Sequence, residues 1–221
     1  MTLCVAVTVR GQDYKAMKPE EFARLPGLAE KLEPGQTDLV LLGAAIFHET
    51  NRVRQQLGLR VLRPLEPLDV AAETQAKIGA FLRPPSHTNP FPLIATPLDR
   101  VRFAGLEPSE VAENIALVTI YDAPRGADFY TLKGDPRLRD AQTGKLLEPH
   151  TIGGFARSIV EAWMNSPGHR AAMLDPRFRY LGCSASEARS PQDVDLVFGV
   201  QVFCALKPRP WRGHRAPTER R

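Results

Sequence analysis

The strongest constraint on the fold lies near the C-terminus. Over residues 195–206, Leu196, Phe198, Val200 and Val202 recur at every second position. That is the period of a strand with one face buried. Residues 180–187 read as another strand, and a third is expected in the second half of residues 111–121, where β-branched side chains gather. Other stretches carry the helical period. Residues 38–57 open on the capping residue type Asp38, place Leu42, Ile46, Val53 and Leu57 on one face, and meet Gly58 as a stop. Helices are also expected over 68–82, with Ala71, Ala72, Ala76 and Ile78 in its middle, over 97–104, and over 152–164, with Phe155, Ile159, Ala162 and Trp163 as its apolar set. A short helix fits 19–25. Pro84-Pro85 closes the second long helix, because the ring fixes φ and removes a donor, and leaves 86–90 as loop. Helices and strands interleave without a regular βαβ rhythm. The expected class is therefore α/β of the α+β kind, a layered sandwich on an antiparallel sheet.

The chain of 221 residues is long enough for one domain with a full core. No window reaches the roughly 18 apolar residues of a membrane span. The net charge of +4 is unevenly placed. Residues 207–221 hold Lys207, Arg209, Arg212, Arg215, Arg220 and Arg221 against Glu219, so the remainder is close to neutral. That distribution argues against a nucleic-acid-binding fold, which needs basic charge on a folded face. The segment 207–221 also carries Pro208, Pro210 and Pro217 and is expected as a flexible basic tail; contact with acidic surfaces is the alternative to a simply solvated one.

Residues 1–37 read as an N-terminal arm, 38–206 as the domain, and 122–150 as a surface insertion with a turn at 140–145 between two short strands. The apolar run at 3–9, which contains Cys4, is either the end of an export signal whose start lies upstream or an edge strand. Cys183 and Cys204 stand in separate expected strands, where they either bridge or remain buried thiols.

The residues with chemistry to offer are few. In Trp163-Met164-Asn165-Ser166-Pro167-Gly168-His169-Arg170, Ser166 suits an N-cap and Pro167 the first helical position. A helix over 167–174 then places His169 in its first turn. The positive end of the helix dipole disfavours imidazolium there and favours the neutral ring that binds metal or accepts a proton. His87 lies in the loop after Pro84-Pro85. Glu113 sits where a strand begins, either solvated at its mouth or held by a partner, since burying it alone is costly.

Taken in order, these pieces resemble the CAP superfamily (cysteine-rich secretory proteins, antigen 5 and plant pathogenesis-related class 1 proteins), in its compact bacterial SCP-like branch. The matching residues are His48-Glu49-Thr50-Asn51-Arg52 with Gly58, Ser86-His87, Ala112-Glu113-Asn114-Ile115-Ala116, Trp163 through Arg170, Tyr180-Leu181-Gly182, and the closing strand Phe198 to Phe203. The resemblance spans roughly residues 38–206. It implies a three-layer α-β-α sandwich with a central antiparallel sheet and a large cleft. In many members the cleft holds two histidines and two acids, and the histidines can bind a divalent cation such as zinc. By motif position the histidines are His87 and His169, and the first acid is Glu113. The second acid usually follows the helix tryptophan by three residues; Ser166 stands there instead. Glu161 does not replace it, lying some 200° around the helix from Trp163 at about 100° per residue.

Three classes of function follow. The first is an exported module, extracellular or periplasmic, that binds a lipid, peptide or cell-wall fragment in a cleft lined by His87, Glu113, Ser166 and His169, with a divalent cation on the two histidines. The second is a metal-assisted hydrolase of peptide or cell-wall substrates with Glu113 as general base; the missing fourth side chain counts against it, as does the lack of a G-x-S-x-G elbow, an H-E-x-x-H helix or a Cys nucleophile with an assigned base. The third is a non-catalytic structural protein in which Asn51, Asn114 and Ser166 satisfy buried backbone groups.

Overall fold

The computed structural model describes residues 11–82, 84–123, 128–192 and 194–207. The run at 3–9 with Cys4, and the tail beyond Lys207, lie outside the described residues.

The sheet is built on β6 (Asp195–Leu206), which pairs antiparallel with β5 (Tyr180–Arg189) on one side and with β2 (Pro108–Thr119) on the other. A two-residue strand, β1 (Arg63–Pro64), adds to the outer edge of β5 in the parallel sense, so the order is β1-β5-β6-β2. The expected antiparallel sheet is thus mixed at one edge. The chain returns there from a helix that ends at Gln56, just before Gly58, and the Asn51 side chain catches it by bonding both the N–H and the carbonyl of Leu62 (2.7 and 2.9 Å).

Both faces of β6 are buried, not one. Val197 and Phe203 enter the same core as α3 (Leu39–Gln56) and α6 (Ile152–Met164), whereas Phe198, Val200, Val202 and Cys204 enter a second core under α4 (Glu66–Gly79) and α5 (Pro97–Phe103). Alternation sends successive residues to opposite faces, and helices cover both, which makes the three-layer α-β-α sandwich. Two glycines let the helices approach. A Cβ on Gly182 would lie 2.2 Å from the Leu68 carbonyl carbon of α4, and one on Gly199 would lie 2.5 Å from Ile159 of α6. The same alternation decides the thiols. Cys183 faces the α3 side and Cys204 the α4 side, so no bridge joins them and both are free and buried.

Helix boundaries follow the sequence closely, with local exceptions. Asp38 caps α3 by accepting from the Leu41 N–H (2.9 Å), but Leu57, beyond its end, is 53% exposed and leaves the buried face. The α4 helix starts two residues early, at Glu66, and stops at Gly79, against which the Phe198 ring packs. In α6, Ala156 and Val160 are buried and Ala162 is exposed. α7 (Pro167–Leu174) begins at Ser166, whose side chain makes no capping bond.

The segment expected as an insertion forms a ribbon of β3 (Phe129–Leu132) and β4 (Asp135–Asp140). Its hairpin reverses at Lys133-Gly134, where Gly134 takes a positive φ of 81°, and not at 140–145. The latter turn exists as well, held by the Asp140 carboxylate accepting from Thr143 (2.7 Å), and carries the chain to a bridge between Leu146 and Arg139. Leu138 reaches the main core, so the ribbon is not wholly superficial.

The arm packs on this frame. It contains α1 (Gly11–Ala16), α2 (Pro19–Phe22) and a 3-10 turn at Pro26–Ala29. Phe22 stacks on His48 with centroids 3.9 Å apart, and Leu32 is buried. Lys15, almost fully buried, bonds Asp69 of α4 (2.5 Å) and the Cys183 carbonyl (2.7 Å).

Candidate functional site

β2 is an edge strand of the sheet, and the two helical layers meet around it. Glu113, in register with Val202, is therefore inside the strand rather than at its mouth, and it points to the α5 layer. Asn114, the next residue, points to the other layer. There its amide donates to the His169 carbonyl (3.1 Å) and to Gln201 Oε1 (3.0 Å). Gln201 in turn donates to Thr50 Oγ1 (2.6 Å), which donates to the Ile46 carbonyl of α3. One strand dipeptide thus fixes a group in each layer.

His87 arrives from the α4 layer. Its loop is strapped at several points: Gln75 of α4 donates to the Ser86 carbonyl (2.7 Å), and the Asn89 amide donates to the Ile94 carbonyl (2.8 Å). The ring is about half exposed, and Nδ1 lies 3.0 Å from Glu113 Oε1. The Glu113 side chain is 1% exposed, so it is the partnered carboxylate of the two sequence alternatives. Its other oxygen accepts from Arg100 Nη2 at 2.6 Å.

Arg100 is the participant that sequence reasoning missed. It lies on α5, whose start is set by a capping box between Thr96 and Asp99. Its side chain is fully buried. Nη2 also donates to the His87 carbonyl (3.1 Å), and Nη1 donates to the carbonyls of Ile94 and Ala95 (3.0 and 3.1 Å). One guanidinium therefore binds the loop that carries His87 and the carboxylate that touches its ring. The available signal was weak: α5 carries Arg100 and Arg102 on either side of Val101, and nothing local says which of the two turns inward to a buried partner.

His169 comes from the opposite layer, in the first turn of α7. Two contacts place that helix. The Trp163 indole at the end of α6 donates to the Ile115 carbonyl of β2 (3.2 Å), and buried Arg54 of α3 donates to the Met173 and Asp175 carbonyls at the far end of α7 (2.5 and 3.2 Å). Burial pulls the His169 pKa down, and the nearby His87 ring lowers it further. The neutral ring is the favoured form, in the direction expected from its helix position. Ser166 stands half-buried at the α7 start, with its carbonyl accepting from Arg170 N (2.8 Å). Cavities of about 370–530 Å³ on the surface are lined by other residues than His87, Glu113 and His169. Among the described residues, no three His, Cys, Asp or Glu side chains stand close enough together to hold a metal ion.

The family model for the cysteine-rich secretory protein family, CAP, matches residues 47–203. The chain belongs to this CAP family. An extracellular SCP-domain protein from Bacillus anthracis is similar in fold, with TM-score 0.50 and 21% identity over 80% of this chain and 45% of that one. An outer surface protein from Borrelia burgdorferi gives TM-score 0.49 at 17% identity, covering 81% of this chain and 99% of that one. A cysteine-rich secretory protein from Staphylococcus aureus gives 0.42 at 14%, covering 79% and 41%. The chain spans less than half the length of the Bacillus and Staphylococcus proteins. A search of curated proteins finds no match. The fold class and the family read from the motifs are both borne out.

Proposed function

We propose that this CAP-domain protein is an exported binding module that holds a small ligand (a lipid, peptide or cell-wall fragment) where His87 and His169 meet across the edge of β2. What supports this reading is the arrangement around β2, an edge strand: on one side half-exposed His87 lies against Glu113, and on the other Asn114 holds the His169 carbonyl. Export rests on family membership; the Bacillus protein of similar fold is described as extracellular. No helix among the described residues is long and apolar enough to cross a membrane.

Two imidazoles are chemically suited to a divalent cation such as Zn²⁺, but they fall short of the three protein ligands of an open zinc site, so a cation on His87 and His169 would take its other ligands from water or the bound molecule. Such a cation would supply a Lewis acid for the ligand's own oxygen atoms. Glu113 would act on it only through His87. The hydrolase reading requires a carboxylate free to take a proton from water, whereas both oxygens of Glu113 are engaged by His87 and Arg100. Nothing favours it over binding.

The test is calorimetric titration of metal-stripped protein with Zn²⁺ at pH 7.5, alongside the His87→Ala/His169→Ala double variant. Binding that is present in the wild type and lost in the variant supports the cation site. Equal heats in both proteins would remove the cation from the proposal and leave the histidines as ligand-lining or structural groups.

A further inference from the structure

We propose that Arg100 is a positioning residue that sets the tautomer of His87, through Glu113, so that Nε2 faces outward as an unprotonated electron-pair donor. The inference deepens the binding reading above, because it names the atom that meets a cation or a ligand proton.

The argument runs from donor capacity. A guanidinium has only donors, so the 2.6 Å contact from Arg100 Nη2 requires Glu113 Oε2 to accept. A buried carboxyl beside a buried guanidinium is the anion, since either charge alone would be costly there. An ionised carboxylate only accepts, so at 3.0 Å Oε1 must receive a proton from His87 Nδ1. A neutral imidazole carries one ring proton. With that proton on Nδ1, Nε2 is left with its lone pair, on the side of a ring that is about half exposed.

Three further contacts pin the backbone that carries the ring: Arg100 Nη2 holds the His87 carbonyl at 3.1 Å, and Nη1 holds the carbonyls of Ile94 and Ala95, so the ring leaves Glu113 only by rotation about its own side-chain bonds. Arg100 Nε is buried without a hydrogen-bond partner. The Glu113 carboxylate is thereby an orienting group: it fixes a ring that does the binding, the arrangement by which outer-shell carboxylates tune imidazole ligands.

The decisive experiment is a two-bond ¹H–¹⁵N correlation spectrum of the histidine rings at pH 8, where imidazoles are neutral, on the full chain without added metal. The expected wild-type result is a single His87 tautomer with the proton on Nδ1. A proton on Nε2 overturns the proposal whether or not zinc binds. Arg100→Lys keeps the charge but, as a point donor, loses the fork that spans Glu113 and the His87 carbonyl. It is expected to give mixed tautomers and to raise the Zn²⁺ Kd by about 10–100-fold, as loss of an outer-shell partner does. A folded Arg100→Lys or Arg100→Met protein that retains the pure Nδ1–H tautomer overturns the role of Arg100. Should zinc fail to bind while the Arg100-dependent tautomer is present, the cation reading falls and the positioning role stands. Zinc binding to an Nε2–H ring would do the reverse. The wild-type spectrum needs no variant, so a variant that misfolds does not shield the proposal.

Discussion

Three histidines should weaken the fold as pH falls. His48, His150 and His169 all have pKa values pulled below the usual 6.5, in each case first by burial. His48 lies with Nε2 donating to the Tyr14 carbonyl (2.8 Å) and its ring stacked on Phe22. A histidine lowered on folding binds fewer protons native than unfolded, so its stabilising contribution is present above the unfolded value and is lost as pH falls below it. Urea midpoints should therefore drop between pH 7.5 and pH 5. His48→Gln, which can still donate to the Tyr14 carbonyl, should flatten that slope. An unchanged slope would show that His48 does not carry the response. The thiols make a second prediction at this scale. Burial raises the Cys204 thiol to about 11 and the Cys183 thiol further. Both should resist aromatic disulfide reagents in native protein and react on denaturation; fast native labelling of either would contradict their placement.

At the scale of elements, the helices depend on small residues and single polar contacts. Gly182→Ala would press a methyl carbon into the α4 backbone at Leu68, which cannot yield as a side-chain tip can. The expected loss is about 3 kcal/mol, read as a shifted denaturation midpoint with unchanged m-value. Lys15→Met tests how α1 is held. It strips Asp69 of its cation and leaves a carboxylate only 21% exposed, held, among the described residues, by the Cys183 N–H alone (3.1 Å). Breaking a buried pair costs roughly 3–5 kcal/mol, and the residual solvation of Asp69 places the expected loss nearer 2 kcal/mol. An effect within about 0.5 kcal/mol would mean that the pair behaves like a surface bridge.

For the whole molecule, the arm is part of the packed body. The Leu32 N–H donates to the His150 carbonyl and the Ile152 N–H to the Glu30 carbonyl (both 2.9 Å), so the arm runs beside the entry to α6. Removing residues 1–37 would uncover the faces that Phe22 and Leu32 bury, take the cation from Asp69 and take the Tyr14 carbonyl from His48. Burial of two such side chains is worth about 3–6 kcal/mol, so the truncated protein should melt well below the full chain. An unchanged melting temperature would confine the stable unit to residue 38 onward. The sheet edge matters at this scale too. His87 and His169 belong to opposite layers, and β2, which lies between them, is an edge strand.

Local pattern determined much of this. The spans of α3, α6, α7 and β6 follow from periods of 3.6 and 2 with their caps and stops, because each depends on neighbours within a few positions. The motifs around His87, Glu113 and His169 were specific enough to indicate the family and its layered fold. Which partner each group chose was decided only by the tertiary structure. Glu113 reads as a carboxylate among apolar residues, and nothing adjacent says that Arg100 on another element neutralises it. The mixed edge at β1, the separation of Cys183 and Cys204 by the sheet, and the packing of the arm are of the same kind. A periodic pattern records which face a residue presents, but burial, charge pairing and strand order depend on segments that meet only when the chain closes on itself.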